Sequence, residues 1–293
     1  MQAIRKIQAH LNWTDTGSWN PQFRDSGSGM MGATGFLLGL CGGLHMGVVL
    51  TIALVYATNM TVLNETEPPG YLVPLLHWSL YMSLLCGFHF MEFLTTALWQ
   101  QKDLCYDSFI VNHSAAYTCA ALAAWVEYTA EAFWLPRWKH NMPIAAVGLL
   151  VVLAGQAVRT VSMWTCGRNF SHKIMYNKSA ENPTHQLVTN GIYSVLRHPS
   201  YFGWFYWSIG TQVLLCNPVC TCLYAWASWN FFKSRIPVEE QLLHGFYQEE
   251  YVTYCRRTVI GIPFIKSPVS QVAASTGASS SVPFLRGETN GGL

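Results

Sequence analysis

Two stretches of this chain, residues 30–64 and 201–232, contain no Asp, Glu, Lys or Arg. Runs of that length without charge have no ordinary place in a water-soluble domain, whereas a lipid bilayer is a natural solvent for them. The whole chain is consistent with this, being 51% hydrophobic and only 11% charged, against roughly a quarter charged in soluble domains. Too little charge is left to coat a globule.

A helix needs about 20 apolar residues to cross the hydrocarbon core. Residues 30–58, 72–98, 113–135 and 143–164 meet that length. The window 201–232 is about 32 residues long, and a single helix of that length would overshoot a core of about 30 Å. It is interrupted at Asn217-Pro218, a turn dipeptide whose proline removes a backbone donor that lipid cannot replace. The expected fold is therefore all-α and polytopic, with about six transmembrane helices, the last two forming a carboxyl-terminal hairpin. Residues 1–29 form a polar amino-terminal segment without the continuous apolar core of a secretory signal. Residues 30–266 form the membrane domain. Residues 267–293, rich in Ser, Gly, Ala and Thr, form an expected disordered tail.

Lys and Arg in short loops set the orientation. Arg5, Lys6 and Arg24 precede the first span, whereas the loop 59–71 has neither Lys nor Arg and carries Glu65 and Glu67. That loop is expected outside the cytosol, with the sequons at Asn59 and Asn64 open to glycosylation. Counting spans places the loops 100–112 and 165–200 and the carboxyl end in the cytosol. These contain Lys102, Arg168, Lys173, Lys178, Arg197, Arg256 and Arg257, and the sequons at Asn169 and Asn177 there are expected to stay bare. Arg137 and Lys139 run against the rule.

A net charge of +2 with no clustered basic face argues against nucleic acid as a partner. The nine cysteines form no C-x-x-C pair and sit mostly in apolar runs, the pattern of buried free thiols. Cys220 and Cys222 lack matching His or Cys at ligand spacing, so no metal is assigned. Glu92, Glu127, Glu131 and Arg159 fall inside spans, where an ionised group is costly. A structural role, pairing with polar groups across helices, is expected for them.

Polar residues concentrate on both sides of the last hairpin, in 167–200 and 233–264. The first contains Thr184-His185-Gln186-Leu187-Val188, Gly191-Ile192-Tyr193 and Arg197-His198-Pro199-Ser200-Tyr201. The second contains Arg235-Ile236-Pro237-Val238-Glu239-Glu240 and Tyr251-x-x-Tyr254. A helical hairpin is expected to bring both clusters to the cytosolic surface, so the site is placed mainly in 165–266.

These residues carry a resemblance. The stretch 197–204, Gly210-Thr211-Gln212 through Asn217-Pro218, the Glu239-Glu240 pair, Tyr251-x-x-Tyr254 and the closing Gly261-Ile262-Pro263-Phe264-Ile265 resemble the isoprenylcysteine carboxyl methyltransferase family. Asp107-Ser108-Phe109 and Asn112-His113-Ser114 extend the likeness upstream, and it covers about residues 72–266. There are two departures. Animal members often have eight spans, and the family glutamine after Asn-Phe-x-His is absent here, where Asn169-Phe170-Ser171-His172 leads to Met175.

The resemblance implies S-adenosylmethionine as methyl donor and the C-terminal carboxylate of a prenylated cysteine, in CaaX-processed proteins such as small GTPases, as acceptor. It implies a cytosolic-side cofactor pocket of His185, Gln186, Leu187, Val188, Tyr193, His198, Pro199, Ser200, Tyr201 and Glu239. Arg235 would hold the acceptor, and Arg235 and Glu239 are the residues implied at the reacting groups. The endoplasmic reticulum membrane follows from the same likeness.

The chemistry suits these side chains. An α-carboxylate with a pKa of about 3.3–3.7 is already ionised and needs no base. A guanidinium fork holds both its oxygens, and aromatic faces tolerate a sulfonium. A prenyl chain partitions into lipid and would enter between helices, whereas the donor arrives from the cytosol. Three alternatives remain: a phospholipid N-methyltransferase, which shares His-Pro-x-Tyr and the Glu pair; a non-enzymatic membrane transporter or receptor; and a sterol reductase-like protein using a nicotinamide cofactor.

Overall fold

The charge-free windows fold as helices, and the polar punctuation between them sets the ends. The computed structural model describes residues 27–59, 69–101, 104–111, 114–172, 174, 186–266 and 269. Among the described residues seven α-helices follow in order: α1 Ser28–Thr58, α2 Leu72–Trp99, α3 Ala115–Trp134, α4 Met142–Cys166, α5 Pro199–Leu214, α6 Pro218–Tyr247 and α7 Glu249–Arg257. Ser114 caps α3 through the Tyr117 amide, and Asn141 caps α4 through the Ile144 amide, each at 3.2 Å. Pro199 and Pro218 occupy the first positions of α5 and α6, where the missing amide costs nothing. Among the described residues the β pairing is a single parallel bridge between Leu196 and Val259.

Among the described residues three helices are long and apolar enough to cross a bilayer: Ser28–Thr58, Leu72–Trp99 and the one starting at Met142. The outward faces agree, because Phe36, Leu37, Leu44, Leu50 and Leu54 of α1 are each more than 60% exposed. An apolar patch of that size in a soluble monomer would be an association surface. The expected break at Asn217-Pro218 is present, with α5 ending at Leu214 and α6 starting at Pro218. However, α5 has 16 residues, about 24 Å of rise, and α6 runs well past the end of the apolar window, through Pro237 to Tyr247. The first span starts at Ser28, inside the segment read as polar. Residues 1–26, most of 267–293, Lys102, Asn112, His113, Asn64, Glu65, Glu67, Lys173, Met175, Asn177, Lys178 and His185 lie outside the described residues.

The chain divides into two compact units. The first comprises residues 1–168 and 200–228, and the second 169–199 and 229–293.

In the first unit, α4 and α5 pack antiparallel with their backbones nearly touching. A Cβ on Gly148 would fall 2.1 Å from the Leu214 amide, one on Gly155 2.7 Å from the Gly203 carbonyl, and one on Gly210 2.9 Å from the Val152 amide. Gly148 and Gly155 are seven residues apart, as are Gly203 and Gly210, so each helix presents one stripe of small residues. Lipid supplies no hydrophobic drive between helices, and close van der Waals contact of this kind takes its place. On α2, His89 donates from Nδ1 to the Phe109 carbonyl at 2.8 Å, so its Nε2 accepts from the Tyr117 hydroxyl at 3.1 Å. That histidine holds the short 3₁₀ turn Tyr106–Phe109 against α2 and α3.

The turn between α5 and α6 is organised by charges that the loop count misread. Lys139 is 0% exposed. Its ammonium donates to the carbonyls of Leu215 and Cys216, both at 2.9 Å, and to Asn217 Oδ1 at 2.7 Å. It is also ion-paired with Glu131 at 2.7 Å and stands over the Tyr128 ring at 4.7 Å. Glu127 accepts from the Val219 and Cys220 amides at 2.8 and 2.7 Å, an anion on the open end of α6. Lys139 therefore is not a loop cation that violates an orientation rule but an internal ligand for a turn with nowhere to find water.

Lys139→Met removes that ligand and leaves three acceptors and a carboxylate buried without a cation, a loss of about 3–5 kcal/mol. In detergent-solubilised protein it is expected to lower the melting temperature sharply. The exposed neighbour variant Arg137→Gln is expected to stay within about 0.5 kcal/mol of wild type; equal melting temperatures for the two variants refute the assignment.

Candidate active site

The second unit holds most of the polar residues singled out from the sequence, and its framework starts from one backbone crossing. The Arg197 amide donates to the Val259 carbonyl at 2.9 Å and the Val259 amide to the Val195 carbonyl at 3.0 Å. The Tyr254 hydroxyl ties the same loop down by donating to the Tyr193 carbonyl at 2.7 Å. Behind these contacts Tyr251, Val252, Tyr254, Cys255 and Val269 form a core, with Leu187, Leu243 and Tyr247 against it. The amphipathic α7 supplies four of these residues. It has Glu249 and Glu250 in its first turn and Arg256 and Arg257 in its last, the charge order that a helix dipole favours.

Glu240 stands at the centre and is 0% exposed. Its Oε1 accepts from Arg197 Nε at 2.9 Å, and His198 Nε2 lies 3.2 Å from the same oxygen. Arg197 Nη1 reaches the carbonyls of Cys255 at 3.2 Å and of Thr258 at the end of α7. One guanidinium thus joins the loop before α5, the second glutamate of the pair and the carboxyl end of α7. Burial alone pulls the Arg197 guanidinium down, but the adjacent Glu240 carboxylate more than offsets it and the pKa is raised. Arg197 therefore stays cationic. Burial first, then the Glu240 charge, pushes the Cys255 thiol up to about 11, and the same two causes raise the Tyr251 phenol well above its usual range.

Adjacent positions on α6 thus do different work. Glu240 faces inward, whereas Glu239 and Arg235, four residues apart and so on one helix face, are half-buried. Arg235 Nη2 donates to the His172 carbonyl at 2.6 Å, and its guanidinium carbon lies 5.7 Å from the centre of the Phe231 ring. Pro237 leaves the Lys233 carbonyl without its helical donor, and α6 continues through it. Trp229 Nε1 donates to the Pro263 carbonyl at 2.8 Å, which holds the closing Gly-Ile-Pro-Phe segment to α6.

The candidate residues distribute as follows. Gln186, Leu187, Val188, Tyr193, His198, Pro199, Arg235 and Glu239 belong to the second unit, and Ser200 and Tyr201 to the first. The Gln186 amide donates to Asn169 Oδ1 at 3.3 Å. His198 and Pro199 are buried, and Leu187, Val188 and Tyr193 half-buried. In the first unit Ser200 is buried and its hydroxyl accepts from Arg159 at 3.0 Å. Sequence reasoning missed Glu240 and Arg197 as the organising pair. A polar pair at a separation of 43 residues has no local pattern, and the only signal was that both lie in the dense motifs.

A family model described as isoprenylcysteine carboxyl methyltransferase matches residues 146–245. A protein-S-isoprenylcysteine O-methyltransferase of Rattus norvegicus is 48% identical over 190 residues, covering 65% of this chain and 66% of its own length. The chain thus spans slightly under two thirds of that relative. The Saccharomyces cerevisiae protein of the same name is 38% identical over 195 residues, covering 64% of this chain and 80% of its own. A solved structure titled as the eukaryotic intramembrane Ras methyltransferase ICMT superposes with a TM-score of 0.71 at 35% identity, covering 90% of this chain and 84% of that one.

The two glutamates are expected to separate in a thermal melt. Glu240→Gln strips the buried Arg197 of its counter-charge and is expected to cost about 3–5 kcal/mol, whereas Glu239→Gln is expected to melt within about 0.5 kcal/mol of wild type. At pH 8 the Cys255 thiol, held protonated by its raised pKa, is expected to resist maleimide while the exposed Cys105 reacts. Labelling of both at one rate overturns the burial of Cys255.

Proposed function

The chain belongs to the isoprenylcysteine carboxyl methyltransferase family, and from that premise we propose that it methylates the C-terminal α-carboxylate of prenylated cysteine, using S-adenosylmethionine. The observation that carries the reading is the paired placement of Arg235 and Glu239 on one half-buried face of α6, inside the segment that matches the family. The acceptors are CaaX-processed proteins such as small GTPases. The proposed setting is the endoplasmic reticulum membrane, with six spans in a domain over residues 30–266 and the reacting groups toward the cytosol. The apolar exteriors of α1, α2 and α4 support a membrane setting.

The residues present suit the donor. Among the described residues the main-chain groups of Leu187 and Val188 have no hydrogen-bond partner, which suits recognition of a heterocycle by backbone donors and acceptors. By the family resemblance, His185, Gln186, Tyr193, His198, Pro199, Ser200 and Tyr201 would add polar and aromatic contacts to the donor. When bound, S-adenosylmethionine supplies an electrophilic methyl on a sulfonium. Glu239 offers a carboxylate to its hydroxyl or ammonium groups.

Arg235 orients the acceptor. Its planar fork can take both carboxylate oxygens, and the 2.6 Å bond to the His172 carbonyl fixes the guanidinium plane beforehand. Because such a clamp lowers the basicity of the oxygens, the arginine aligns the nucleophile and does not activate it. No residue has to move a proton, since the carboxylate is ionised at neutral pH. Alignment of oxygen, methyl carbon and sulfur is where the barrier falls, and positioning of this kind is worth several kcal/mol.

Membranes containing the protein are expected to transfer label from tritiated S-adenosylmethionine to S-farnesylcysteine as a base-labile methyl ester, and to leave phosphatidylethanolamine unlabelled. Arg235→Ala is expected to raise the KM for farnesylcysteine by about tenfold or more and to leave the donor KM nearly unchanged, and Glu239→Ala to do the reverse. Labelled phosphatidylethanolamine, or equal small effects of both substitutions, would sink the proposal.

A further inference from the structure

One buried ion pair of the first unit is left unused by this reading. Glu92 on α2 and Arg159 on α4 meet as a two-pronged pair, Arg159 Nε to Oε1 at 2.5 Å and Nη2 to Oε2 at 2.7 Å. Their exposures are 1% and 6%. The third nitrogen points elsewhere. Arg159 Nη1 donates to the Ser200 hydroxyl at 3.0 Å and to the Ser200 carbonyl at 3.2 Å.

A pair needed only to hold α2 to α4 would be complete with Glu92. The bond to Ser200 instead sets the first turn of α5, and a second contact fixes the same spot. A Cβ on Gly203 would lie 2.6 Å from the Gly155 carbonyl, 2.7 Å from the Arg159 amide and 2.9 Å from the Arg159 Cβ. One turn beyond Ser200 the two backbones therefore touch. The guanidinium is braced from a third side by Phe88, its carbon 5.5 Å from the ring centre, and Phe88 is stacked on Trp207 of α5 at 4.1 Å. Glu92 orients Arg159, Arg159 orients Ser200, and the glycine contact leaves the turn no room to drift.

We infer that Arg159 is a positioning residue for methyl-donor binding, acting through Ser200 and held in register by Glu92. This rests on the reading of Ser200 and Tyr201 as donor-contacting residues. Lysine in place of Arg159 retains the charge and can meet Glu92, but a point ammonium cannot hold both Glu92 oxygens and both Ser200 acceptors. Replacing both partners by apolar residues of similar volume keeps the packing and often the stability of a buried pair, while removing the hold on Ser200.

The test compares full-length Arg159→Lys and the double variant Glu92→Leu/Arg159→Met, with folded yield read by monodisperse elution and the KM for each substrate measured separately. Both are expected to fold, to raise the KM for S-adenosylmethionine by about tenfold, and to leave the KM for S-farnesylcysteine unchanged. A wild-type donor KM in either folded variant overturns the inference. So does a rise in the farnesylcysteine KM, which would place Arg159 on the acceptor, and so does failure of both variants to fold, which would make the pair purely structural. Ser200→Ala and Tyr201→Phe separate the two levels. If neither moves the donor KM, the donor-site reading itself fails; if they move it and Arg159→Lys does not, only the positioning role falls.

Discussion

A cation buried in this molecule has to find its partners inside it, because water does not reach it. That constraint accounts for the three cations buried among the described residues. Lys139 meets two carbonyls, an amide oxygen and Glu131; Arg159 meets Glu92 and Ser200; Arg197 meets Glu240 and two carbonyls. Lys139 and Arg197 bind a carboxylate and also main-chain oxygens in a turn or at the carboxyl end of a helix, whereas Arg159 adds the Ser200 hydroxyl and carbonyl in the first turn of α5. A carboxylate alone would neutralise the charge, but the remaining donors would stay unsatisfied at a cost of 1–3 kcal/mol or so each. The carbonyls at turns and helix ends have the opposite shortage. Placing the cations there solves both problems at once.

The small-residue stripes of α4 and α5 serve the same constraint by other means. Where Gly148, Gly155, Gly203 and Gly210 let the backbones meet, dispersion contacts supply the association that water would otherwise drive. Close approach also brings Arg159 within reach of Ser200 at 3.0 Å. Packing and polar pairing are thus coupled: a bulkier residue at Gly203 would strain the helix contact and the arginine's second task together.

Much of the helical layout could be read from the sequence because it depends on local quantities. Windows free of charge and the proline at 218 are properties of neighbouring residues, and they placed the starts and ends of α1 to α5 and the start of α6 to within a few positions. The site was less legible. Lys139 looked like an exposed loop charge because hydropathy carries no information about a turn arriving from 76 residues further along the chain. The continuation of α6 through Pro237 was hidden for a different reason. A proline inside a charged stretch carries no local signal that a helix passes through it, and only the surrounding packing decides that it carries on.

The Glu239-Glu240 pair shows where sequence reading stops and geometry has to take over. Two identical side chains one position apart on a helix point about 100° apart, so at most one can share a face with Arg235, and the other must turn toward whatever packs behind. Here what packs behind is Arg197, whose carbonyl ligands come from the end of α7. The inward glutamate is therefore fixed by the fold, and the half-buried one shares the face of Arg235. Their order along the chain follows from helical phase: Arg235 and Glu239 are separated by four residues, close to one full turn, whereas position 240 has rotated past that face into the core.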